Sequence, residues 1–207
     1  MSIVGNCRLL LINLYTSDSD GLITAKQATY RFNLFPVFWT FLSKKLADGV
    51  VRFLKLVYEE LVTNVMKEDE LARWAKARRR NGLCVSASKK VQEACTKVAD
   101  YVKNNPRYGQ PAQAKFLGGA DPWLIAHAIA EGGAVVTQET RVSPDSKQVR
   151  IPDVCAYFKV RCINTCDMLE ELGFRSQCVR VIAPMLLSVM ETQLKRHRCF
   201  ALGEAPG

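Results

Sequence analysis

Runs of apolar residues and stripes of apolar residues alternate along this chain, and the two patterns predict different elements. Residues 8 to 15 are almost wholly apolar and end in the polar stretch Thr16 to Asp20, which predicts a buried strand entering a loop. From Pro36 to Ala47, Val37, Phe38, Phe41, Leu42 and Leu46 follow helical spacing and Gly49 supplies a stop; residues 50–54 then read as a second strand. Residues 56–80 are helical again with a break near 66–69, and 89–103 carry Val91, Ala94, Cys95, Val98 and Val102 on one stripe. Residues 107–119 read as a loop, and an apolar helix follows from Pro122 to Ala130, closed by Gly132 and Gly133. A short strand at 134–137, a polar loop at 138–150, a short segment at 152–158, a strand at 160–162 and a helix near 166–172 complete the pattern.

Strands alternating with helices predict an α/β fold with a central parallel sheet, because parallel strands need long crossovers and those crossovers bury both faces. Ligands of open α/β sheets gather at the carboxyl ends of the strands. Residues 8–177 read as one domain. Residues 178–207 read as an extension, with a helix over the apolar and basic stretch after Pro184 and a loose polar end.

Composition narrows the function. With 207 residues, 48% hydrophobic and 24% charged, and a mean hydropathy of -0.03, the chain can bury a core and is not a disordered type. No apolar run approaches the roughly 20 residues that cross a bilayer, and the 9–14 segment is a poor secretory signal, so a cytoplasmic protein with no membrane partner is expected. Lys and Arg total 29 against 20 acids, a net charge of +9, which points to an anionic partner such as nucleic acid. The 8 cysteines read as reduced thiols; Cys155, Cys162 and Cys166 lack zinc-site spacing.

Familiar nucleotide, serine-hydrolase and zinc-protease motifs are missing from the sequence. His127 lies in an apolar helix, with a packed core residue as one of its readings; His197 belongs to the basic tail. The remaining chemistry is acidic. Asp18 and Asp20 follow the first strand, Glu59 and Glu60 sit on a helix, Asp121 opens one, Glu139 follows the 134–137 strand, and Asp153 lies further on. Converging carboxylates repel one another unless cations neutralise them, and a hard divalent ion also lowers the pKa of a bound water. Strand-end acids on a basic protein therefore suggest metal-dependent phosphodiester hydrolysis.

The segments YTSDSDGLITAK (15–26), PVFWTFL (36–42), VYEEL (57–61), FLGGADPWLIAHA (116–128), VVTQE (135–139) and IPDVC (151–155) occur in an order that resembles a prokaryotic PIN-like nuclease family related to toxin ribonucleases. The resemblance covers roughly residues 8–175. It implies a three-layer α/β/α PIN-like fold and a set of catalytic, metal-binding acids, Asp18, Glu60, Asp121 and Glu139, with Asp153 as a further metal candidate and Thr137 supporting the fourth acid. It also implies single-stranded RNA cleavage with Mg²⁺ or Mn²⁺, commonly as the toxin of a toxin–antitoxin pair, with a cognate antitoxin protein as partner; residues 178–207, outside the resemblance, are open to packing as an extra helix or to forming a homodimer. Thr16, Ser17 and Gly21 depart from the family pattern, which leaves two alternatives: an altered first-strand geometry, or Asp20 sharing the metal.

Each acid also has an ordinary reading: a turn residue for Asp18, a solvated helix acid for Glu60, a helix N-cap for Asp121, a loop acid for Glu139. Arg73, Lys76, Arg78, Arg79 and Arg80 are the candidate RNA-binding residues; a solvated helix end explains them equally. A catalytically impaired relative that binds RNA or a protein, and a nuclease acting on DNA, are the rival functions.

Overall fold

The computed structural model describes residues 14–63, 69–80 and 83–175, with the backbone alone at 83–85. Residues 8–13 of the expected first strand, the break at 66–68, the C-terminal extension and His197 lie outside the described residues. Almost all described residues belong to the first of two units into which the chain divides, which ends at Gly173.

Five strands, β1 (Tyr15–Ser17), β2 (Val51–Leu54), β3 (Leu83–Val85), β4 (Ala134–Val136) and β5 (Arg161–Ile163), form one sheet in the order β3-β2-β1-β4-β5. Every pairing is parallel, with Tyr15 opposite both Val51 and Ala134, and Val135 opposite Cys162. The helices are α1 (Ser19–Thr24), which runs into a π-helical turn (Ala25–Thr29), α2 (Pro36–Ala47), α3 (Lys55–Thr63), α4 (Glu70–Ala77), α5 (Lys89–Asn104), α6 (Gln110–Gly118), α7 (Asp121–Glu131), α8 (Ile151–Tyr157) and α9 (Thr165–Glu171).

The chain first builds outward from β1 through β2 to β3, then returns to the other side of β1 for β4 and β5. Right-handed crossovers in opposite directions place their helices on opposite faces, which gives a three-layer α/β/α fold. On one side α2 packs on β2 and α4 on α3; on the other α7 packs on β1 and β4 and meets α5, α6 and α8. The reversal between β1 and β4 is a topological switch point, and there the carboxyl ends of two neighbouring strands open a crevice.

The core follows the apolar stripes. Val91, Ala94, Val98 and Val102 of α5 are buried, as are Leu124, Ile125, Ala126 and Ala128 of α7. Gly132 ends α7 at φ 74°, a left-handed conformation that glycine adopts without strain. Its neighbour Gly133 is required for space, since a Cβ there would lie 2.6 Å from the Leu14 carbonyl oxygen at the start of β1.

Several readings change. Thr16 and Ser17, expected to open a loop, belong to β1, because pairing with β2 and β4 uses the backbone whatever the side chain, and Ser19 and Asp20 already belong to α1. Residues 110–118, expected to be loop, form α6: Gly109 and Pro111 supply a helix start, but Phe116 alone is buried, so no apolar stripe marks the helix. Residues 151–157 form α8, and β3 is an additional edge strand of three residues, too short to show a period.

Candidate functional site

The switch point gathers the acids. Asp18 follows β1 directly, 6% exposed, and caps α1: its Oδ1 accepts the Gly21 N–H at 3.0 Å. Its Oδ2 accepts the Thr137 hydroxyl at 2.5 Å from the end of β4. Burial, with Asp20 and Glu139 nearby, pushes the Asp18 carboxyl up to about 6 in spite of those two bonds. Gly21, a departure from the family pattern, fits this arrangement: a Cβ there would stand 3.3 Å from both Asp18 Oδ1 and Thr165 Oγ1.

Ser19 donates its hydroxyl to Glu60 Oε2 at 2.7 Å, which turns Glu60 of α3 toward the end of β1. Glu59 is exposed and faces Lys55 at 3.6 Å, so helical geometry distinguishes two acids that the sequence left equivalent. Asp20 is exposed on the first turn of α1, and its charge raises both Asp18 and Asp121.

Asp121 is the first residue of α7. The expected N-cap bond is not made: Ala120 occupies the cap position, and the Asp121 carboxylate accepts no hydrogen bond from a described residue. Burial and the charges of Glu139, Asp18, Glu60 and Asp20 push it up to about 7. One carboxyl group thus senses four others, drawn from the end of β1, α1, α3 and the loop after β4.

Glu139 is more committed. Its Oε1 accepts Arg150 Nη1 at 2.7 Å, its Oε2 accepts the Ile151 N–H at 2.8 Å, and its own N–H donates to Thr137 Oγ1 at 3.1 Å. The bland reading as a free loop acid fails, since Glu139 ties the loop to the start of α8. Asp153 accepts the Val142 N–H at 3.4 Å, which anchors the 138–150 loop.

The basic residues divide in two. Arg78 donates to Ser43 Oγ at 2.5 Å and to the Trp74 carbonyl at 3.2 Å, stacks over the Trp74 ring, and is lowered by burial. It serves the packing of α4 on α2, so its guanidinium is not the free surface cation that the run of three arginines suggested. Arg73, Lys76 and Arg80 are exposed; Arg79 is exposed above the Tyr58 ring. His127 is buried and depressed by burial, with Glu131 at 3.5 Å, so of its open readings the structure favours the packed one. Among the described residues, Cys95, Cys155, Cys162 and Cys166 are free thiols.

The sequence reading missed Ser19, Gln138, Arg150 and Thr165. Gln138 Nε2 donates to Thr165 Oγ1 at 2.9 Å, which links the loop after β4 to the start of α9. Only Ser19 had a local signal, its place between two candidate acids.

Family comparison covers most of this framework: residues 15–176 match the family described as Domain of unknown function (DUF4411). The chain belongs to that family. The matched span opens with β1 and contains Asp18, Glu60, Asp121, Glu139 and Asp153. Neither the curated proteins nor the solved structures contain a match. Among the described residues, no helix is long and apolar enough to cross a membrane.

The donors at the switch point are oxygen atoms with negative charge, the chemistry that hard divalent cations select. Asp121, half-buried, without a hydrogen-bond donor and surrounded by like charge, fits such an ion. Among the described residues no three Asp, Glu, His or Cys side chains form a ready-made cage.

Proposed function

We propose that this protein is a metal-dependent endoribonuclease of PIN-like type that cleaves single-stranded RNA. The observation that carries the reading is Asp121: a carboxyl pushed up to about 7 by burial and, beyond that, by the charges of four other acids at the carboxyl ends of a parallel sheet. Clustered carboxylates of this kind are offset by Mg²⁺ or Mn²⁺, and the charge of +9 suits a polyanionic substrate.

Asp18, Glu60 and Asp121 would hold the ion, with Asp20 adding charge at the exposed rim. A divalent ion there supplies a water of lowered pKa and stabilises charge on phosphorus. The chain's own contribution is positioning: Thr137 and the Gly21 N–H fix both oxygens of Asp18, and Ser19 fixes one oxygen of Glu60. Glu139 holds Arg150 beside the same acids. The resemblance to toxin ribonucleases supports a toxin role, with an antitoxin protein as partner.

One observation favours a second reading, a catalytically impaired protein that binds RNA or a protein. Glu139 already spends both oxygens on Arg150 and Ile151, which reduces the acids available to an ion. Incubation of the purified chain with matched single-stranded RNA and DNA, under Mg²⁺, Mn²⁺ or EDTA, separates the readings. Cleavage of RNA that EDTA abolishes supports the proposal; no cleavage with either metal favours the binding protein, and equal cleavage of DNA removes the restriction to RNA.

A further inference from the structure

Beside the acids lies a cavity of about 180 Å³, between α6 and the segment that leads into α8. Asp121 and Glu139 line one part of it, so it opens directly onto the proposed reaction centre. Lys115, Gln148 and Arg150 supply its other polar groups, and the buried ring of Phe116 lies with Ala112 on the apolar side.

The polar groups are arranged by one another. Gln148 Oε1 accepts Arg150 Nε at 3.3 Å and Nη2 at 3.1 Å, while Nη1 is held on Glu139. The guanidinium plane is therefore fixed from three of its nitrogens. With its Oε1 so used, Gln148 keeps its amide N–H groups for other acceptors. Lys115 is exposed on α6 and adds a second cation.

A planar, partly apolar group with an attached anion fits this lining: the ring meets Phe116 and Ala112, the anion meets Lys115 and Arg150, and ring heteroatoms meet the Gln148 amide. The volume lies below the roughly 300–1,000 Å³ of sites that enclose drug-sized ligands. It suits one unpaired base and excludes a base pair.

The geometry points to a subsite for one nucleotide next to the cleaved bond, in which Lys115 and Arg150 take a phosphate and the Phe116 side takes the base. This assignment rests on the nuclease reading and adds to it a structural source of single-strand selectivity. A nucleotide still stacked and paired in a duplex cannot enter.

The test uses the full chain in EDTA, where no cleavage occurs, with a labelled single-stranded RNA and competition by 5′-ribonucleotides, 5′-deoxyribonucleotides or inorganic phosphate. Ala112→Trp fills the apolar side of the cavity and replaces no acid, and Lys115→Gln removes one cation from an exposed position. Each folded variant should weaken RNA binding about tenfold, the scale of one lost base contact, and nucleotides should compete better than phosphate. Equal competition by both sugars also supports the assignment and shows that base and phosphate are what is read. Wild-type binding by a folded Ala112→Trp or Lys115→Gln variant, or phosphate competing as well as nucleotides, overturns it. Failure of the nuclease reading looks different: the wild type then cleaves nothing with Mg²⁺ or Mn²⁺ although Ala112→Trp still loses binding, and the cavity stands as the nucleotide site of a non-cleaving protein.

Discussion

The Thr137 hydroxyl donates to Asp18 Oδ2 across the junction of β4 and β1 while its oxygen accepts the Glu139 N–H, so one threonine links two candidate acids 121 positions apart in the chain. Sheet topology makes this contact, since the two strands are neighbours only because the chain reverses direction between them.

Thr137→Val keeps the side-chain shape and removes the hydroxyl. Asp18 then loses a hydrogen bond in a buried setting, at a cost of about 1–3 kcal/mol. Thermal melts should show that loss, the Asp18 carboxyl should titrate at higher pH, and cleavage should fall. Thr137→Ser should restore both readouts; a Val variant equal to wild type in both would deny Thr137 its role.

Asp121→Asn should abolish metal-dependent cleavage, a loss on the order of 10²-fold or more, and should raise the melting temperature of the metal-free protein at pH 8. Each kcal/mol of relieved repulsion is worth roughly 2–4 °C in a chain of this size. Because Asp121 makes no cap bond, Asp121→Ala should keep α7 intact as well. A large loss of stability in Asp121→Ala would restore the capping role.

The pH dependence follows first from burial of the two carboxyls and then from the same repulsion. Both Asp18 and Asp121 are raised in the folded state, to about 6 and about 7 from an ordinary 3.8, so the fold favours their protonated forms. Their contribution to stability is fully present below the ordinary value and is lost as pH rises to about 7. Metal-free protein should therefore lose stability across this window more steeply than Asp121→Asn does. Mg²⁺ or Mn²⁺ should raise the melting temperature more at pH 8 than at pH 5, as scanning fluorimetry can show.

Glu59 and Glu60 should behave differently although they are adjacent. Glu60→Gln should impair cleavage and metal-induced stabilisation, whereas Glu59→Gln, which changes an exposed pair with Lys55, should alter neither. Equal effects would mean that α3 presents both acids to the site.

Arg78 and its basic neighbours should separate by assay. Arg78→Gln breaks contacts with Ser43 and Trp74 and should lower stability. Replacing Arg73, Lys76 and Arg80 together with Gln should leave stability near wild type, yet reduce the salt slope of RNA binding by about one per lost phosphate contact. An unchanged slope removes α4 from the RNA-binding surface.

The parallel α/β class was legible in the sequence because it depends on local periods: the continuous apolar runs of buried strands and the stripes of α5 and the other amphipathic helices. Acids just beyond strands were legible for the same reason, since strand ends are local features. The tertiary structure decided the rest. It selected Glu60 over Glu59 through a hydroxyl 41 positions away, left Asp121 without its cap bond, drew Arg78 into packing with α2, and set Arg150 on Glu139 beside a cavity. None of these has a period or a fixed spacing. Each depends on which side chains long-range folding brings within hydrogen-bond reach, and at this switch point that choice follows from the reversal of strand order between β1 and β4.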